Sequence, residues 1–223
     1  MSKPIIVAVD EVKSKSFKEI VDSLDNDLCM IKVGSVSFNA MGHEAINYVA
    51  SKGFKIFLDL KLHDIPNTVK KSIEGLISLP LSMLTIHTSG GLEMMKAAKQ
   101  ALQSSDIKLF GVTALTSLSD EDTNIIFKRS ASRQVQAMLD LAEAAGIDGV
   151  VCSPLELELV TQRKSLESIT PGIRILKSND DQTRVMTPKE AIKKGANHIV
   201  IGRPITNASN ISKALKEIHN SLE

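Results

Sequence analysis

A closed (β/α)8 barrel is the fold this sequence predicts, as one domain over residues 1–223, and three observations predict it. Short apolar runs rich in β-formers recur about eight times along 223 residues. Each is followed by a helix-like segment, the alternation that builds a parallel sheet, and eight units in this length fit a closed barrel better than an open sheet. Polar residues also fall late in these runs or just beyond them, where barrels place their active sites.

The elements follow in order. Ile5 to Asp10 reads as a buried strand ending in a carboxylate, and Ser16 to Leu24 as a short amphipathic helix. Met30 to Gly34 is a second strand with Lys32 inside an apolar run, and Gly42 to Ser51 reads as helix with Gly53 as a stop. The stretch from Ile56 to Asn67 supplies the third strand, reading as buried up to Leu58 with charged residues at its C-terminal end; Asn67 or Thr68 then caps a helix expected to reach Leu79, where Leu-Pro closes it. Met83 to His87 is the fourth strand, followed by Gly90-Gly91 and a helix from Leu92 to Leu102. Lys108 to Leu115 is a fifth strand, ahead of a short helix within Asp120 to Arg129 and a long one from Ser132 to Ala145. Asp148 to Cys152 is the sixth strand, and Ser153-Pro154 suits a helix start. Ser168 to Gly172 is a weak seventh strand, Asn197 to Gly202 the eighth, and a last helix runs to about Leu222.

Composition narrows the function classes. A hydrophobic content of 43% supports a sizeable core, while a net charge of +1 gives no field for nucleic acid or membrane surfaces. Aromatics at 3% with no Trp weaken a base-stacking role further. Cys29 and Cys152 lie in apolar runs without CxxC or zinc spacing, as expected of buried free thiols in a reducing compartment. No signal peptide and no run of about 18 apolar residues is present, so the expectation is a cytoplasmic protein.

The chemistry concentrates at the third strand. Asp59, Lys61 and Asp64 stand at its C-terminal end, just before Pro66 forbids further central pairing. Strand alternation sends Asp59, Lys61 and His63 one way and leaves Asp64 on the other parity or in the turn. Alone, this pattern also describes a solvated strand end carrying an ion pair. Asp10, Lys32, His87, Thr116 and Gly202-Arg203 end other strands in the same manner, and that argues for a site. Gly202-Arg203-Pro204 offers backbone N–H groups and a guanidinium to an anion, with Arg174 leaving strand seven as a second arginine. The polar stretch from Ile175 to Thr187 is long for a barrel loop, and Gln182 could reach a ligand from it. No G-x-S-x-G elbow, Walker loop or tight histidine metal spacing occurs, although His63 and His87 could approach one another.

The segment Asp59-Leu60-Lys61-Leu62-His63-Asp64-Ile65-Pro66-Asn67-Thr68 resembles the signature of the orotidine 5′-phosphate decarboxylase family. The likeness continues in Val9-Asp10, Lys32 to Gly34, Thr170 to Arg174, Asp181-Gln182, Met186 to Pro188 and Ile201 to Pro204. The resemblance implies decarboxylation of orotidine 5′-phosphate to uridine 5′-phosphate without metal or cofactor, closing pyrimidine synthesis. It implies a catalytic array of Lys32, Asp59, Lys61 and Asp64, with Lys61 as proton donor and Asp64 donated across a homodimer, Ile65 and Thr68 beside it. It further implies Thr116 at the pyrimidine edge, Asp10 and Lys32 at the ribose, and Arg174, Gln182, Gly202 and Arg203 at the phosphate. Two rivals share the barrel and the D-x-K-x-x-D pattern: 3-keto-gulonate-6-phosphate decarboxylase and hexulose-6-phosphate synthase. They resemble this chain but use Mg²⁺ and an acidic residue where Lys32 stands. A binding-only barrel is the remaining alternative, and the expectation is a chain not fused to a second enzyme.

Overall fold

The structure is a computed structural model that describes residues 4–115, 117–173 and 186–222. Its first half runs β1 (Ile5–Val9), α1 (Ser14–Asp22), β2 (Cys29–Gly34), α2 (Ser35–Met41), α3 (His43–Ser51) and β3 (Ile56–Leu62). It continues with α4 (Pro66–Glu74), β4 (Met83–His87), α5 (Gly91–Ala101), β5 (Lys108–Val112), α6 (Asp120–Phe127) and α7 (Ala131–Ala145). The last part is β6 (Gly149–Val151), α8 (Leu157–Thr161), β7 (Glu167–Thr170), α9 (Pro188–Lys193), β8 (His198–Ile201), α10 (Arg203–Thr206) and α11 (Ile211–Asn220). Each strand pairs in parallel with the next, and β8 returns to β1, so the sheet closes.

Alternation along the strands sorts the apolar residues into two cores. One fills the barrel and draws on all eight strands, through residues such as Ile6, Met30, Phe57, Met83, Phe110, Val151, Ile169 and Val200. The other lies between the strands' outer faces and the helices, including Ile5, Val33, Leu58, Leu84 and Leu139. Gly149 is what lets Phe110 fill the interior: a Cβ there would overlap the Phe110 ring and the Glu167 carbonyl oxygen. Cys29 and Cys152 are both buried free thiols. Burial, with the Glu156 carboxylate as a lesser cause, pushes the Cys152 thiol up to about 12, so it has no nucleophilic role at neutral pH. Among the described residues no helix is long and apolar enough to cross a membrane.

The departures from the sequence expectation have local causes. Helix α2 was not expected; it starts straight after β2, with glycines at both ends, and carries Ser37 rather than a regular apolar stripe. Helix α4 stops at Glu74, because Gly75 caps it, and tighter turns carry the chain to Leu79. Strand β5 ends at Val112, where Thr113 sets both its N–H and its hydroxyl on the Val151 carbonyl at 3.1 and 3.0 Å. The C-terminal helix is divided in two, and Asn210 restarts it by accepting a 2.9 Å bond from the Lys213 N–H.

Candidate active site

Four charged side chains from three adjacent strands interlock at the C-terminal mouth of the barrel. Lys32 Nζ lies 3.0 Å from Asp10 Oδ1 and 3.8 Å from Asp59 Oδ2, and Lys61 Nζ lies 2.7 Å from that same Asp59 oxygen. The order is therefore Asp10, Lys32, Asp59, Lys61, two of each sign. Lys32 and Asp59 are buried, Lys61 is partly covered and Asp10 reaches the surface. Unpaired charges at such depth would cost several kcal/mol each, and this alternation avoids that cost while fixing each head group. The array is a preorganised field open to solvent at its two ends.

Glycine makes the Asp10–Lys32 contact possible. A Cβ at Gly34 would come within 2.7 Å of Lys32 Nζ and 2.8 Å of Asp10 Oδ1. Ser37, fully buried on α2, fixes the backbone on either side of Asp10. Its Oγ accepts from the Glu11 N–H at 2.8 Å and lies 2.8 and 2.9 Å from the Val9 and Glu11 carbonyls.

Strand β3 departs from simple alternation. Leu58 pairs with Leu84 and Leu62 with Ile86, so three residues of β3 lie opposite Thr85 alone. Lys61 sits at a φ of 52°, in the left-handed region that L side chains rarely adopt. Asp59 and Lys61 thus meet as expected, but through a bulged backbone rather than the period of a regular strand. Thr85, which the sequence reading passed over, spans the bulge: it donates to Asp59 Oδ1 at 3.0 Å and accepts from the Lys61 N–H at 2.9 Å. Its signal was available, because it shares parity with His87 in an otherwise apolar strand.

The other expected residues divide into four groups. His63 and His87 do approach, with ring centroids 5.3 Å apart. Burial, then His63 and Lys61, hold the His87 imidazole below its ordinary value, against the opposing pull of Asp59. Among the described residues no group of three or more His, Cys, Asp or Glu could hold a metal ion. Asp64, Ile65 and Thr68 are exposed; Asp64 accepts from the Ile65 N–H at 2.6 Å, and no ion pair among the described residues joins it to Lys61. Gly202 and Arg203 sit at the start of α10 directly after β8. Thr116, Arg174 and Gln182 lie outside the described residues. Ile173 and Met186, on either side of residues 174–185, pair in an isolated parallel bridge.

A closed parallel barrel with ionised groups at the C-terminal ends of its strands is the layout of a (β/α)8-barrel enzyme. The sequence model of the orotidine 5′-phosphate decarboxylase / HUMPS family matches residues 3–218, and the chain belongs to that family. It is 44% identical over 222 residues to the orotidine 5′-phosphate decarboxylase of Saccharophagus degradans, covering 96% of this chain and 92% of the relative. The enzyme of that name from Wolbachia pipientis is 45% identical over 222 residues, with 98% of each chain covered. The crystal structure of orotidine 5′-phosphate decarboxylase from Lactobacillus acidophilus superposes with a TM-score of 0.86 at 35% identity, covering 99% of both chains.

Proposed function

We propose that this protein decarboxylates orotidine 5′-phosphate to uridine 5′-phosphate, the closing step of pyrimidine nucleotide synthesis, and that it does so in the cytoplasm. The observation that carries the reading is the Asp10–Lys32–Asp59–Lys61 array, with the Lys61 ammonium held on Asp59. Breaking the bond from C6 to the carboxylate releases CO₂ and leaves the electron pair on C6, where the ring offers no adjacent sink. Lys61 is the ammonium that stabilises this carbanion and then gives it a proton, yielding the product and a neutral amine that solvent reprotonates.

Asp59 faces the substrate carboxylate and disfavours the bound ground state until CO₂ departs. Two unit charges about 4 Å apart interact by about 4 kcal/mol at an effective dielectric near 20. That corresponds to about three decades of rate, so carbanion stabilisation by Lys61 ranks first. Asp10 and Lys32 hold the ribose hydroxyls, and Thr116 meets the pyrimidine edge. Gly202, Arg203, Arg174 and Gln182 hold the phosphate, whose binding supplies energy for assembling the site. Asp64, with Ile65 and Thr68, completes the pocket of a second copy in a homodimer; the exposure of all three supports that placement.

The Mg²⁺-dependent sugar-phosphate enzymes are the rival. Against them stands Lys32, whose ammonium lies between the Asp10 and Asp59 carboxylates at 3.0 and 3.8 Å, where a divalent cation would be repelled. The test follows loss of orotidine 5′-phosphate absorbance with wild type and Lys61→Ala in buffer containing EDTA. Rapid wild-type turnover and an inactive variant are expected. Activity that EDTA abolishes and Mg²⁺ restores would overturn the reading.

A further inference from the structure

We infer that Thr85 is a positioning residue that holds the carboxylate of Asp59 and the backbone of Lys61 in one geometry. The inference rests on the decarboxylase reading for its catalytic consequence, but its structural content stands separately. A left-handed conformation is costly for a lysine and persists where the surroundings over-determine it. Here the surroundings are identifiable. With three residues of β3 opposite one of β4, the regular ladder is interrupted, and the Lys61 N–H needs another acceptor.

The Thr85 hydroxyl is that acceptor at 2.9 Å, and its own proton goes to Asp59 Oδ1 at 3.0 Å. The second Asp59 oxygen is left to the two ammonium groups, 2.7 Å from Lys61 and 3.8 Å from Lys32. One fully buried hydroxyl therefore fixes the rotation of the Asp59 carboxylate and the strand position from which Lys61 rises. Thr85 itself contacts no reacting atom in this account. It acts through the two groups it holds.

Thr85→Val keeps the β-branched shape and removes the hydroxyl, whereas Thr85→Ser keeps the hydroxyl. Misplacing a catalytic group by about 1 Å costs about 100-fold in rate, and a loss of kcat of that order is expected for the valine variant. Its KM should stay within about threefold, because ribose and phosphate contacts lie elsewhere, and serine should restore most of kcat. A second readout does not depend on turnover: the rate at which an amine-directed reagent labels Lys61, read by peptide mass spectrometry on wild type and both variants. Labelling should quicken in the valine variant as the pair with Asp59 loosens, and stay near wild type in the serine variant. Unchanged kcat with unchanged labelling in Thr85→Val would overturn the inference, as would equal losses in both variants. A wild type that fails to turn over orotidine 5′-phosphate would remove the proposed reaction instead, and the labelling comparison would still decide the role of Thr85.

Discussion

The two halves of the barrel mouth are built on opposite principles. Strands β1 to β4 turn Asp10, Lys32, Asp59, Lys61, Thr85 and His87 toward the centre or its rim. Strands β5 to β8 present Val112, Val151, Ile169 and Val200 to the barrel interior. Charge in the first half is tolerable because each ion has a partner within 4 Å. The apolar half strengthens that field, since aliphatic walls exclude water and lower the effective dielectric around the array. The described strands thus concentrate paired charge in one half of the mouth and aliphatic side chains in the other.

The largest expected effect tests the charged half directly. Lys61→Ala removes the group proposed to stabilise the carbanion and to donate the proton, and kcat should fall by about 10⁴-fold or more in the absorbance assay. A fall of tenfold or less would mean that Lys61 is a structural counter-ion for Asp59, and the division between the halves would lose its functional content.

A pair of glycine substitutions sharpens the comparison, because the same added methyl should have opposite consequences. In the apolar half, Gly149→Ala would drive a Cβ into backbone and an aromatic ring, neither of which can yield cheaply. Its expected signature is a loss of about 3 kcal/mol in urea unfolding, with near-normal kcat in what remains folded. In the charged half, Gly34→Ala meets the flexible ends of Lys32 and Asp10, which can move aside. The fold should survive, with the unfolding midpoint close to wild type, while kcat/KM drops about tenfold as the pair separates. If both variants lose stability alike and keep kcat/KM, the glycines are equivalent packing features.

The same contrast governs how much the sequence disclosed. A lysine or aspartate inside an apolar run stands out, so Asp10, Lys32, Asp59 and Lys61 were legible, and their positions late in successive strands gave the barrel. The bulge at Lys61 was not legible, because it arises from pairing between β3 and β4 rather than from any local residue preference. Thr85 left only a weak trace, its shared parity with His87, because threonine is an ordinary strand residue and its role exists only through what lies across the ladder. Ser37 had no signal at all once α2 went unread. On the apolar side, valines and isoleucines look the same whether they line a site or fill a core.

The smallest expected effect concerns His87 and the pH dependence of folding. Burial is the main cause of its lowered affinity for protons, and the neighbouring His63 and Lys61 act in the same direction while Asp59 opposes them. A histidine whose folded value lies below its ordinary one near 6.5 binds fewer protons folded than unfolded. Its contribution is therefore present above pH 6.5 and is lost as pH falls through that value toward the folded one. Wild type should show a urea midpoint that declines from pH 7.5 to pH 5, and His87→Gln should decline less steeply over the same window. Parallel curves would show that His87 takes up its proton equally in both states. Burial at the rim of the charged half would then cost the His87 imidazolium nothing.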